Sequence, residues 1–185
     1  MATATTAPWV ARFFEARDRF ATTVDAGLMP LVHEREQHEG ARHVVRAYVY
    51  DGAAKRVLSG RTVADARMPG ALALPLIEQA RDPLAALYYV RTLPLARGDV
   101  IEIPVNDAGR NLIVEVRSAG EESIVVSGRR LQAIRVEPRL RQRLDRRQPV
   151  TGVIWVSADE RRMPLRVDVL AAFGRVTLER LEAGS

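Results

Sequence analysis

One segment of this chain carries a clear helix signal, while the rest alternates apolar and polar residues in short runs. The segment is Asp82–Arg91, with the sequence DPLAALYYVR. Asp82 can accept hydrogen bonds from the first-turn amides, and Pro83 suits the first helical position because its missing N–H needs no partner there. The apolar residues at i, i+3 and i+4 that follow are Leu84, Leu87 and Tyr88. The sequence therefore predicts one main helix, which ends before Pro94.

The other residues predict strands joined by hairpin turns. Residues 42–50 alternate regularly, and the hairpin signal Asp51-Gly52 follows them. About ten such runs occur along the chain, at the spacing of hairpin-connected strands. We expect a mainly β (α+β) fold in which a strongly curved antiparallel sheet, or an incomplete barrel, packs on the helix at 82–91. Residues 1–8 are expected to be a mobile tail, and residues 9–185 a single β-rich domain.

Two stretches interrupt the strand pattern. Residues 60–80 contain Pro69, Gly70 and Pro75, which break any regular alternation, so this stretch predicts a long connection into the helix. The connection is either a crossover that covers one end of the sheet or a functional loop. Residues 118–120, Ser-Ala-Gly, predict a turn between one strand at 112–116 and the next at 123–126.

Composition excludes several classes of chemistry. The chain has no cysteine, so disulfides, thiolate catalysis and thiolate metal sites are excluded. The formal charge of +5 comes from arginine, since Lys55 is the only lysine, and a charge of this size is weak evidence for a polyanionic partner. No apolar window is long enough to span a membrane, and the first residues lack the pattern of a secretion signal.

The histidines give the one residue set that suits a metal ion. His38 shares a strand face with Glu34 and Glu36 if the strand is regular, whereas His33 then lies on the opposite face. The alternative is a solvated polar strand with incidental histidines, and we expect neither a metal nor a cofactor. No Gly-x-Ser-x-Gly elbow or phosphate-binding loop occurs. We therefore assign no catalytic residue and expect a protein that is not an enzyme.

An arginine-rich run lies between the later strands. Residues 139–147 read RLRQRLDRR. On a loop, these arginines can contact lipid phosphates or anionic glycans. Nucleic acid is not expected, because no aromatic platform accompanies them. The alternative is a solvated hairpin extension. The predicted anion-contacting residues are Arg139, Arg141, Arg143, Arg146 and Arg147.

Several ordered phrases of the chain resemble one known family. They are RDRF at 17–20, LMPL at 28–31, the helix segment, VEPR at 136–139, WVSADERRMP at 155–164 and FG at 173–174. From about Trp9 to Leu181 the chain resembles the bacterial exported proteins grouped as family of unknown function DUF3108. The resemblance implies a secreted or periplasmic protein of Gram-negative bacteria, similar to carriers that move lipoproteins between membranes. Members usually begin with a signal peptide and further strands before the first phrase, so we expect those strands to be missing here.

The expected function is therefore non-enzymatic binding in the cell envelope. We expect a groove between helix and sheet to bind a lipid, an acyl chain or another amphipathic ligand, with arginines at its rim. The expected lining residues are Leu84, Leu87, Tyr88 and Trp155. Three alternatives stay open: these side chains are simply core, the protein is an interaction module whose open sheet edge pairs with an envelope protein, or it is a hydrolase.

Overall fold

The fold is described from a computed structural model, which describes residues 2–5, 16–39, 42–60, 71–141, 151–171 and 174–179. These residues form twelve strands, one α-helix and one 3-10 turn. The helix α1 is Pro83–Tyr89, and the 3-10 turn Val90–Thr92 follows it directly. The strands are β1 Ala2–Thr5, β2 Ala16–Val24, β3 Pro30–Glu39, β4 Arg42–Asp51, β5 Arg56–Gly60, β6 Leu72–Pro75, β7 Val100–Asp107, β8 Arg110–Val126, β9 Arg129–Leu140, β10 Thr151–Ser157, β11 Pro164–Ala171 and β12 Gly174–Glu179.

The chain divides into two compact units. Unit 1 contains Met1–Ala86 and Pro104–Asn111, and unit 2 contains Leu87–Ile103 and Leu112–Ser185. The described strands form two antiparallel sheets, one in the order β1-β2-β3-β4-β5-β6 and the other in the order β12-β11-β10-β9-β8-β7. Neither sheet closes on itself within the described residues. The predicted mainly β fold with a single α-helix is confirmed.

The sheet of unit 1 places a row of polar and aromatic side chains on one face. Thr22, His33, Tyr48 and Ser59 are directly opposed in successive strands, and directly opposed residues share a face. One apolar cluster of this unit, among the described residues, contains Tyr48, Tyr50, Val57, Leu76 and Ala80. His33 is buried on this face, so the prediction that it lies opposite the Glu34–Glu36–His38 face is confirmed.

The turn between β7 and β8 belongs to unit 1 and is held there by asparagines. Asn106 is fully buried, and its carboxamide donates to Oδ1 of Asn111 and accepts from the amide of Gly109. Asn111 in turn donates to the carbonyl of Pro75, at the end of β6. Two of these bonds satisfy backbone groups, the amide of Gly109 and the carbonyl of Pro75, and so hold the turn in one conformation.

Unit 2 contains a long strand where the sequence predicted a turn. β8 continues through Ser118, Ala119 and Gly120, and its pairing with β9 shifts there by one residue. Gly120 has a φ of +91° and absorbs the extra residue as a β-bulge. The predicted turn is therefore wrong. Small residues with a glycine suit both a turn and a bulge, and the uninterrupted pairing with β9 selects the bulge.

The helix begins and ends close to the predicted residues. Oδ1 of Asp82 accepts the amides of Leu84 and Ala85, as expected of a residue that caps the first turn. The last turn tightens into the 3-10 turn and stops at Leu93, which is extended. None of the helices among the described residues is long and apolar enough to cross a bilayer.

Two predicted irregular segments contain strands. Ala2–Thr5, inside the predicted mobile tail, forms β1 and pairs with β2. Its threonines favour an extended backbone, but four small residues leave no hydrophobic alternation to detect. Leu72–Pro75, inside the predicted connection, forms β6 on the edge of its sheet, where Pro75 is tolerated. Residues 6–8 of the predicted tail and residues 61–70 of the predicted connection lie outside the described residues.

Candidate functional site

A buried polar cluster lies in unit 1 at the start of α1. Oγ1 of Thr22 donates to Oδ1 of Asp82 over 2.9 Å, and Nδ1 of His33 lies 2.9 Å from that hydroxyl and 3.2 Å from that carboxylate oxygen. Asp82 is 0% exposed and His33 is 7% exposed. The His33 ring lies between Phe20 and Tyr48, with ring centroids 6.4 and 6.0 Å away. The cluster thus connects two strands with the helix.

The electrostatic environment of this cluster is shown by Tyr50. Burial raises the pKa of the Tyr50 hydroxyl far above its ordinary value, and the nearby carboxylates of Asp82 and Asp107 raise the pKa further. The hydroxyl donates to the carbonyl of Asn106 over 3.3 Å. Tyr50 therefore remains neutral and serves as a hydrogen-bond donor rather than as an acid.

The Thr22–His33–Asp82 cluster does not have the geometry of a hydrolase. In a catalytic triad the nucleophilic hydroxyl contacts one ring nitrogen of histidine, and the carboxylate contacts the other. Here the hydroxyl and the carboxylate both contact Nδ1. The arrangement therefore favours a structural role over acyl transfer.

The second half of α1 belongs to unit 2 and presents apolar side chains beside a cation. Leu87 and Tyr88 are half-buried, whereas Leu84, on the same predicted apolar stripe, is buried. The guanidinium carbon of Arg91 lies 5.9 Å from the centroid of the Tyr88 ring, within cation–π range. This part of the helix therefore combines accessible apolar area with positive charge.

The turn between β10 and β11 adds two further arginines to this end of α1. Nε of Arg91 donates to the carbonyl of Arg161 over 2.9 Å, and Nη1 of Arg162 donates to the carbonyl of Leu93. Arg162 has a φ of +45°, which few non-glycine residues adopt. Within the described part of the chain, neither the terminal nitrogens of Arg91 nor the guanidinium of Arg161 donates a hydrogen bond to a side chain. The sequence analysis missed this arginine group, although Arg91 at i+3 from Tyr88 was a signal for it.

Trp155 lies in unit 2 among apolar and charged side chains of the sheet. It is 9% exposed and packs with Val126, Ala133 and Leu165. Its Nε1 donates to Oε1 of Glu122, and the guanidinium carbons of Arg135 and Arg166 lie 5.8 and 5.4 Å from its ring centroid. Leu84, by contrast, is buried in unit 1. The assignment of Leu84 and Trp155 to a ligand site stays a prediction.

The neighbours of Trp155 pair their charges with one another. Arg166 donates to both carboxylate oxygens of Asp168 at 2.9 Å, and this pairing raises the pKa of the guanidinium. Arg135 donates to Glu137 at 3.0 Å. Both of these cations therefore have anionic partners among the described residues.

The predicted arginine run is described only in part. Arg139 is exposed and lies 3.5 Å from Glu137, and Arg141 is exposed and forms an ion pair with Glu102. The other three predicted anion-contacting residues, Arg143, Arg146 and Arg147, lie outside the described residues. The two described arginines form surface ion pairs, which contribute about 0–1 kcal/mol each and can exchange partners.

The polar outer face of β3 does not form a metal site in the described residues. Nε2 of His38 lies 3.2 Å from Oε1 of Glu36, so this predicted pair is brought together. In the parts of the chain that the structure describes, no three His, Asp or Glu side chains are placed to hold a metal ion.

Comparison with known proteins places the chain in a family. A family model described as a protein of unknown function, DUF3108, matches residues 2–180. A solved structure from Brucella abortus, described as a beta-barrel-like protein of domain of unknown function DUF1849, is similar with a TM-score of 0.57 and 10% sequence identity, over 91% of this chain and 73% of that one. At this identity, the similarity shows the fold alone. No curated protein matches the chain.

Proposed function

The chain belongs to the DUF3108 family of proteins of unknown function, and from this premise and the geometry of α1 we propose a non-enzymatic protein of the cell envelope that binds a lipid, an acyl chain or another amphipathic ligand. The observation that carries the proposal is the combination of half-buried Leu87 and Tyr88 with Arg91 on one end of a helix. An amphipathic ligand needs apolar area and a polar or charged contact side by side. The location in the envelope rests on the resemblance of the sequence to exported proteins.

The apolar contact in this proposal is the exposed part of Leu87 and Tyr88. Burying apolar surface contributes about 25 cal/mol per Å², so covering two such side chains with an acyl chain favours binding by a few kcal/mol. Tyr88 also carries a hydroxyl that can orient a polar head group. Leu84 and Trp155 are already buried, so they offer little apolar surface to a ligand.

The polar contact is the arginine group of Arg91, Arg161 and Arg162. Arginine presents a planar fork of donors that fits phosphate and carboxylate groups. Asp159 and Glu160 lie in the same turn, so the three arginines and these two carboxylates together carry a net charge of +1. We propose that an anionic head group, a lipid phosphate or an anionic glycan, binds to Arg91 and Arg161.

Native mass spectrometry tests the proposal directly. The protein is produced together with a Gram-negative envelope, measured under gentle conditions, and then extracted with solvent. A bound lipid or glycolipid at a fixed stoichiometry is the expected result. A mass that corresponds to the chain alone, in repeated preparations, would refute the proposal that the protein binds a ligand. Fractionation of cells that express the natural gene tests the envelope location, which a wholly cytoplasmic protein would contradict.

Matched variants test the site. Leu87→Gln should abolish the bound mass, whereas Val125→Gln, which changes another accessible apolar residue of unit 2, should leave it unchanged. Arg161→Gln should weaken binding of an anionic ligand, whereas Arg130→Gln should not, since Arg130 is also exposed but lies on β9. If both variants of a pair changed binding equally, the ligand would bind outside this end of α1.

A protein-interaction module is the second candidate, and the position of β6 as an edge strand of unit 1 favours it. In the described residues the sheet ends at β6, where Leu72 is 64% exposed. An edge strand can pair with an extended segment of a partner. Chemical cross-linking of envelope preparations, analysed by mass spectrometry, should then join residues near Leu72 to one partner. Leu72→Glu should remove that cross-link, and its persistence would exclude this edge.

A further inference from the structure

The capping oxygen of α1 is shared by an unusual number of donors. Oδ1 of Asp82 accepts the amides of Leu84 at 2.9 Å and Ala85 at 3.2 Å. It also accepts the hydroxyl of Thr22 at 2.9 Å and lies 3.2 Å from Nδ1 of His33. Within the described residues, the second carboxylate oxygen, Oδ2, has no hydrogen-bond partner. All of the polar contacts that orient this side chain therefore converge on one atom.

The distances among three of these atoms indicate which of the atoms carry a proton. Oγ1 of Thr22, Nδ1 of His33 and Oδ1 of Asp82 form a nearly equilateral triangle with sides of 2.9, 2.9 and 3.2 Å. The threonine hydroxyl has a single proton and so can donate along only one side. If Nδ1 carried no proton, the other two sides would each bring two lone pairs together without a hydrogen between them.

A proton on Nδ1 makes every side of the triangle attractive. The Nδ1–H group then points between Oγ1 of Thr22 and Oδ1 of Asp82, and the Thr22 hydroxyl donates to the carboxylate. The opposite tautomer, with its proton on Nε2 alone, would leave a bare Nδ1 facing a carboxylate oxygen inside the protein. Unsatisfied contacts of this kind are costly in a buried site.

We infer that His33 is a positioning residue for α1: it carries its proton on Nδ1 and, with Thr22, orients Asp82 so that Oδ1 caps the helix. The packing of the His33 ring between Phe20 and Tyr48 holds the ring in the plane that this contact requires. The start of α1 is thereby attached to β2 and β3 through a single atom. The assignment holds whether or not the far end of the helix binds a ligand.

Nitrogen NMR of the full chain tests the proton position without any substitution. Long-range proton–nitrogen spectra distinguish the Nδ1–H tautomer, the Nε2–H tautomer and the doubly protonated ring of each histidine. We expect His33 to show a protonated Nδ1, either as the neutral Nδ1–H form or as the doubly protonated ring. A neutral ring protonated only on Nε2 would overturn the inference.

Two substitutions that place a donor differently test the positioning role. His33→Asn keeps an N–H near the position of Nδ1, whereas His33→Gln places its N–H near the position of Nε2, and both variants lose the aromatic ring. We expect the amides of Leu84 and Ala85 to exchange with deuterium about tenfold or more faster in His33→Gln than in His33→Asn, as for loss of one bond to a charged group. Equal exchange rates would show that His33 acts only by filling space. If neither variant folds, the tautomer of the natural chain decides.

Discussion

Gly109 allows a quantitative test of the packing at the β7–β8 turn. Its φ is +90°, and a Cβ at this position would lie 2.3 Å from Cδ1 of Leu74. A side chain in the left-handed region costs about 1–2 kcal/mol. Forcing a methyl group into filled space costs about 1–3 kcal/mol more. We therefore expect Gly109→Ala to lower the free energy of unfolding by about 2–5 kcal/mol.

Gly128→Ala separates the backbone cost from the clash. Gly128 has a similar φ of +79°, but no atom lies within 4 Å of a Cβ built there. Its substitution should lower the free energy of unfolding by about 1–2 kcal/mol. Urea unfolding followed by circular dichroism measures both variants. Equal losses would refute the clash, and in a double-mutant cycle Leu74→Ala should cost less in the Gly109→Ala background than in the natural chain.

Three further contacts give predictions for the same unfolding assay. Asn106→Ala removes a fully buried carboxamide that bonds to the β7–β8 turn, so it should cost about 2–4 kcal/mol, and a loss below about 1 kcal/mol would contradict this role. Trp155→Phe removes the donor to Glu122 and should cost about 1 kcal/mol, against about 3–5 kcal/mol for Trp155→Ala, and similar losses would show that packing contributes little. The Ser157 hydroxyl lowers the pKa of Asp159, so its stabilising effect is present above the unfolded-state pKa and is lost as pH falls through the folded-state pKa. Asp159→Asn should therefore be less stable than the natural chain at neutral pH, with a difference that disappears in strong acid, and a difference independent of pH would contradict the assignment.

The helix illustrates what local sequence predicts well. An acidic capping residue, a proline at the first helical position and a later proline act within one or two turns, so their effect does not depend on the rest of the chain. Asp82 caps α1 as predicted, and the helix ends before Pro94. The burial of Leu87 and Tyr88 was less predictable, because it depends on which elements surround the helix.

The bulge in β8 illustrates the opposite case. Ser118, Ala119 and Gly120 allow a turn and a bulge equally, since both need small residues and one positive φ. Only the continuous pairing of β8 with β9 on both sides of the bulge distinguishes the two. Which strands pair depends on residues far apart in the chain, so the local sequence around residues 118–120 does not reveal the pairing.

The candidate site also combines a contact that the local sequence predicts with contacts that only the tertiary structure shows. Tyr88 and Arg91 are three residues apart, so the sequence alone brings them to one side of a helix. Arg161 and Arg162 are about seventy positions further along, and only the packing within unit 2 brings their turn to Arg91 and Leu93. Three of the arginines that the sequence favoured instead, Arg143, Arg146 and Arg147, lie outside the described residues.

By itself, the sequence determined the mainly β class, the single helix with its cap, and the placement of His33 on the strand face opposite Glu34, Glu36 and His38. Each of these follows from periodicity or from contacts within a few residues of the chain. Only the tertiary structure decided that His33, Thr22 and Asp82 meet at one oxygen atom, and that the arginines of a distant turn join the end of the helix. Those meetings depend on strand register and packing, which arise from contacts between residues far apart in the chain.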